Sequence, residues 1–188
     1  MKKLLLVFTA IAVAALGSGC ATTGGGTPAE KREAVQNMRQ DVLANLYKLR
    51  PSVRSQIQSA TGYAVFSNAN VNIILASFSG GYGVVRDNRS ARDIYMKMGE
   101  VGIGLGLGVK DFRAVFVFHD RATLDRFINS GWEFGAHADA AAKTTDRGAA
   151  VGGEIVVDNI TIYQITEAGL ALQATIKGTK YWQDGELN

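Results

Sequence analysis

The spacing of apolar positions changes once along the chain, near residue 60. Before that point Val35, Met38, Val42, Leu46 and Leu49 recur at steps of three and four, the signature of one helical face. Thr27-Pro28-Ala29-Glu30 places an N-cap, a proline at the first helical position and a glutamate three residues after the cap, which together start a helix. A helix is therefore predicted over Pro28 to Leu49, stopped by Pro51, with a short second helix over Ser52 to Ser59. Beyond it the apolar runs are short and bounded by Gly, Asn or Asp, as strands are. The predicted strands are Tyr63–Phe66, Val71–Phe78, Tyr82–Arg86, Ile94–Met98, Val101–Val109 and Ala114–Phe118. Asp120 then caps a helix over Arg121 to Asn129 that Gly131 closes. Further strands follow at Trp132–Ala140, Ala150–Val157, Ile160–Thr166 and Leu170–Lys177. Asp158-Asn159 and Glu167-Ala168-Gly169 read as tight hairpin turns.

Consecutive hairpins imply antiparallel pairing. The expected fold is α+β: a twisted, largely antiparallel sheet, barrel-like if it curls far enough, packed by N-terminal helices and one short internal helix. In Val101–Val109 the glycines 102, 104, 106 and 108 share one strand face. That face admits a close neighbour, whether an aromatic side chain, the N-terminal helix or an acyl chain. It is not a dinucleotide fingerprint, because a strand follows it where that motif needs a helix.

The N-terminus reads as an address. Lys2 and Lys3 precede a 13-residue apolar run, Leu4 to Leu16, which suits a signal peptide and is short for a membrane span. Leu16-Gly17-Ser18-Gly19-Cys20 resembles a bacterial lipobox, whose cysteine is acylated and becomes the mature N-terminus. Leu16 stands four residues before Cys20, with Gly17 at the position three before it, where leucine is usual. Cys20 is the single cysteine of the chain, so it is the lipid-attachment candidate. The organisation expected is a signal peptide over 1–19, a lipidated Cys20 with a tether over 20–26, and one domain over 27–188. Ala21 after the cysteine favours the outer membrane, with the domain facing the periplasm or the cell surface. A six-residue flexible tether, Ala21 to Gly26, reaches about 13 Å.

Charge narrows the partners. The chain has 20 Lys and Arg against 17 Asp and Glu, a net charge of +3. Without Lys2 and Lys3 the balance is 18 against 17, which excludes nucleic-acid binding driven by bulk charge. The distribution is uneven: residues 27–130 carry 14 basic and 9 acidic side chains, and residues 131–188 carry 4 and 8. On the first helix Arg32, Arg39 and Arg50 flank the apolar stripe, while Glu30, Glu33 and Asp41 lie opposite. A cationic border suits a helix lying on an anionic lipid surface. It equally suits a core-packing helix whose arginines snorkel at its edge.

Catalytic chemistry has little support. One cysteine excludes a cysteine zinc cluster and an intrachain disulfide. No GxSxG, HExxH or P-loop occurs, so no cofactor or metal is expected. His119 and His137 are read as structural, one at a strand end and one in a Gly/Ala-rich strand. A hydrolase using either is a third reading.

The order of segments resembles the SYLF family from about Glu33 to the C-terminus. The segments are Ala60-Thr61-Gly62-Tyr63-Ala64-Val65-Phe66-Ser67-Asn68-Ala69, Ser79-Gly80-Gly81-Tyr82-Gly83-Val84-Val85, the alternating glycines 102–108 and Val115-Phe116-Val117-Phe118. Leu124-Asp125-Arg126-Phe127, Gly131 to Ala138, Ile162-Tyr163-Gln164 and Glu167 to Leu172 complete it. The resemblance implies a non-enzymatic lipid-binding domain, phosphoinositide-binding in eukaryotic members. Two positions depart from it: Ser67 stands where proline is common, and Asn70-Val71-Asn72 lacks the usual lysine. The expectation is a lipid-anchored bacterial envelope protein. Its membrane contacts are acylated Cys20 and anionic phospholipid at Arg32, Arg39 and Arg50. The alternative is an envelope interaction module that binds a protein partner.

Overall fold

The computed structural model describes residues 26–68, 80–100, 113–133, 154–166, 169–171 and 179–188. Helix α1 (Pro28–Leu49) starts as its sequence dictates. The Thr27 hydroxyl accepts from the Glu30 N–H at 3.3 Å, and the Glu30 carboxylate accepts from the Thr27 N–H at 2.7 Å. This capping box satisfies two otherwise orphaned backbone donors. The hydrogen bond from the Thr27 backbone also holds the Glu30 carboxyl below its usual range. Helix α2 (Val53–Ser59) follows directly after Pro51.

Nine strands are described: β1 (Gly62–Ser67), β2 (Gly81–Asp87), β3 (Arg92–Glu100), β4 (Arg113–Phe118), β5 (Trp132–Glu133), β6 (Glu154–Val157), β7 (Ile160–Thr166), β8 (Gly169–Ala171) and β9 (Thr179–Gln183). Helix α3 (Arg121–Ser130) sits between β4 and β5. The strands form one sheet in the order β5-β9-β3-β2-β1-β4-β7-β6, with β8 also on β7. Every described pairing is antiparallel. The fold is thus α+β, as the hairpin pattern predicts. Asp158 and Asn159 both take positive φ, 52° and 59°, the geometry a two-residue hairpin turn needs.

Alternation along the strands divides the core in two. One face carries Ala64, Phe66, Val85, Met96, Phe116, Phe118, Ile162 and Tyr181 against Leu124, Phe127 and Ile128 of α3. The other carries Val65, Val84, Val115, Val117, Tyr163 and Ile165 against Val35, Val42 and Leu46 of α1 and Val53 and Ile57 of α2. Both faces of the sheet are thereby filled, which explains why its central strands read as near-continuous apolar runs.

On the α3 side the core is aromatic. The Phe116 ring meets Phe66, Trp132 and Tyr181 edge-on at centroid distances of 5.6, 5.8 and 5.2 Å. The Tyr181 hydroxyl is buried among these rings with no hydrogen-bond partner among the described residues. Burial pushes its pKa above the tyrosine range. A buried hydroxyl without a partner costs stability, so Tyr181→Phe should stabilise the fold by about 1 kcal/mol, measured as a higher denaturation midpoint.

The predicted helices are present, and the strands predicted at 63–66, 82–86, 94–98, 114–118 and 160–166 are found as β1, β2, β3, β4 and β7. The predicted strands at 71–78 and 101–109 lie outside the described residues. Of the strand predicted at 132–140, Trp132–Glu133 is described, and of that at 170–177, residues 170 and 171. Strand β9 is an addition to the sequence reading. Its five residues, Thr-Lys-Tyr-Trp-Gln, carry too few apolar positions to announce a strand.

Candidate functional site

Helix α1 lies with its apolar stripe on the sheet, and its arginine flank borders that contact. Arg32 donates through Nε to the Leu187 carbonyl at 2.8 Å. Arg39 pairs through Nη1 with Asp93 at 3.0 Å, its side chain only 18% exposed. The Arg50 guanidinium lies 5.6 Å from the Tyr163 ring centre, over its face, in cation–π range. All three residues sit at the predicted boundary between buried and exposed positions. All three also help to dock the helix, so they are spread along its seam with the sheet rather than gathered at one point. Glu30, Glu33 and Asp41 face solvent on the far side, as the wheel requires.

The start of α1 is held by the C-terminal residues, a contact that local sequence gives no sign of. After β9 the chain turns at Asp184, whose side chain is fully buried. It accepts from the Lys97 ammonium at 3.2 Å and from the Glu186 N–H at 2.9 Å. Glu186 then accepts from the Lys31 ammonium at 2.6 Å. Leu187 enters the α1 side of the core, and the Asn188 amide bridges the backbone of Tyr95 and Asp184. The first turns of α1, the β3–β9 edge and residues 184–188 therefore form one end of the molecule.

On the sheet face at that end lie Trp182 and Lys180, two residues apart on β9 and both exposed. Trp182 is 40% exposed. Its register partner on β3 is Lys97, and that of Lys180 is Gly99. The indole rests on Gly99, where a β-carbon would lie 2.9 Å from ring atom Cη2. That glycine gives the ring its seat. The surface joins a large aromatic to the cations Arg32, Lys97 and Lys180 and the carboxylate of Glu186, over the buried Lys31 and Asp184.

The opposite end is built differently. Asp87 is buried and accepts from the Ser90 hydroxyl, from the backbone N–H groups of Arg89 and Ser90, and from the Arg121 guanidinium at 2.7 Å. Burial raises its pKa, but these hydrogen bonds outweigh burial and hold it at about 2. The network thus stabilises the fold above the ordinary carboxylate range and fades as pH falls from about 4 to about 2. Asp87→Asn should cost about 1–2 kcal/mol at neutral pH and flatten that acid limb, measured by denaturant titration across the window. Ala60, Thr61, Asn88, Arg89 and Arg121 line an open cleft of about 430 Å³ beside it. Arg121 is neutralised there by Asp87 and Asp125.

His119 sits after β4, its Nε2 2.7 Å from the Thr161 hydroxyl, a structural contact at a strand end. His137 and Cys20 lie outside the described residues. Among the described residues no group of three His, Cys, Asp or Glu side chains is placed to hold a metal, and no helix is long and apolar enough to cross a membrane.

Comparison with known proteins adds two findings. The family model described as "Las17-binding protein actin regulator" (Ysc84) matches residues 99–188. Beta cell expansion factor A of Aeromonas veronii is 34% identical over 163 residues. The match covers 86% of this chain and 60% of that protein.

Proposed function

We propose that this chain, which carries a domain of the SYLF (Ysc84) family, is a non-enzymatic, lipid-anchored envelope protein whose domain binds anionic phospholipid. Acylated Cys20 holds the domain at the outer membrane, and Arg32, Arg39 and Arg50 engage headgroup phosphates. The observation that carries the reading is the position of the arginine flank: it follows the half-buried border of a helix that begins eight residues after Cys20. A guanidinium has five N–H donors. Arg32, bonded through Nε alone to the Leu187 carbonyl, therefore keeps donors for a headgroup while α1 stays docked, and Arg50 brings its cation to the far end of the same border. Arg39, closed in against Asp93, contributes mainly charge. Attraction to an anionic surface is worth about 1 kcal/mol per cation, so the contact orients a domain that the acyl chains retain.

The family description names a protein target, Las17, which favours protein interaction as the second reading. The two readings separate in one experiment. Arg32→Glu, Arg39→Glu and Arg50→Glu together should abolish sedimentation of the chain Ala21–Asn188 with anionic vesicles. Binding unchanged by the triple reversal overturns the arginine mechanism. Capture of an envelope protein without co-purifying lipid supports the interaction module. Cys20→Ser in the whole chain should release the protein from the membrane fraction of cells.

A further inference from the structure

We infer that Trp182 is the interfacial anchor of this domain, and that the face carrying Trp182, Lys180 and Lys97 lies on the bilayer. The inference rests on the lipid-binding reading above and adds which surface makes the contact.

Three large apolar side chains are exposed among the described residues: Leu49, Val156 and Trp182. Their distances from the start of α1 differ greatly. Leu49 closes a helix of 22 residues, about 30 Å from its first turn. Val156 is on β6, six strands along the sheet from β9, which is about 29 Å at ordinary strand spacing. Trp182 lies at the near end. Residues 186 and 187, just after it in the chain, hold Lys31 and Arg32 in the first turns of α1.

The chain before the described domain favours the surface nearest Thr27. From Cys20 the six residues Ala21 to Gly26 lead to Thr27, and a chain of that length and composition spans about 13 Å. A bilayer holding the acyl chains must then meet the molecule close to Thr27. The Trp182 face adjoins that point, and Leu49 and Val156 lie farther from it.

The chemistry of the face suits the headgroup level. An indole is apolar over its body and polar at its N–H, which places tryptophan at membrane–water boundaries. Lys180 stands beside it on the same face, with a stem that can lie along apolar surface while its ammonium meets phosphate, and Lys97, held by Asp184, is the register partner of the indole. The seat on Gly99 holds the ring against the sheet, so little side-chain freedom remains to be lost when it enters the interface. A protein partner would meet the same indole, but the tether favours lipid as the occupant.

The chain has two tryptophans, and the other, Trp132, is 3% exposed in the aromatic core, so the change in emission on adding vesicles reports Trp182. The described core lies wholly within residues 26–188, so the chain Ala21–Asn188 serves for the test. With vesicles of phosphatidylglycerol and phosphatidylcholine, its emission should shift to shorter wavelength and be quenched by brominated acyl chains. Trp182→Phe should remove the quenched component. Trp182→Ser should lower vesicle partitioning about tenfold, with its thermal midpoint retained. Sedimentation with vesicles but no shift or quenching overturns the inference and leaves the lipid reading standing. No sedimentation at all overturns both. Self-association that Trp182→Ser removes, with partitioning unchanged, makes a second copy the occupant and also overturns it.

Discussion

Phe116→Ala should destabilise the domain by about 3–5 kcal/mol, the largest loss expected from a single truncation here. Phe116 is fully buried on β4, between β1 and β7. Its ring touches the rings of Phe66, Phe127, Trp132 and Tyr181. Those neighbours come from β1, α3, β5 and β9, so no single element can shift to fill the space. The favourable edge-on contacts with Phe66, Trp132 and Tyr181 are lost as well. Denaturant titration should show a large fall in midpoint with an unchanged slope. A loss under about 1 kcal/mol would mean that the aromatic cluster can collapse, and that the α3 side of the sheet is loosely packed.

Leu46→Ala should cost about 2–5 kcal/mol, whereas Leu49→Ala should change stability by less than about 0.5 kcal/mol. The two leucines lie three positions apart on α1, yet Leu46 is fully buried against the sheet and Leu49 is 44% exposed. The pair separates the two roles open to this helix. If the apolar stripe belongs to the core, only the inner leucine matters to stability. If the stripe were reserved for lipid, neither truncation would move the denaturation midpoint. The stripe is committed to the fold, so the docked helix offers a membrane its charged border rather than its apolar face.

These residues also mark how far the fold is legible in the sequence. The capping box at Thr27 and Glu30, the periodic stripe of α1 and the Asp120 cap of α3 are local signals, and the structure places each where the spacing predicts. The Asp158-Asn159 turn is equally local, since its backbone demand is met by its own two residues. Strand β9 is different. Tyr181 is a core residue only because β3 and β5 pair with it from distant parts of the chain. The same holds for the clamp on α1. Lys31 reads as an exposed helical lysine until Glu186, 155 residues away, is placed beside it. Trp182 was silent for the same reason: its exposure and its seat on Gly99 are products of register. The border position of Arg32, Arg39 and Arg50 was legible, because a helical wheel requires only local geometry. Their partners Leu187, Asp93 and Tyr163 were not.

The central claim is that the folded domain recognises an anionic bilayer by itself, apart from any acyl chain. Vesicle co-sedimentation of the unacylated chain Ala21–Asn188 tests it most directly, with neutral and anionic liposomes compared at two salt concentrations. The account predicts binding to anionic vesicles that weakens as salt rises, because the contact is made by exposed cations, and little binding to neutral ones. Equal binding to both, or binding to neither, would contradict it.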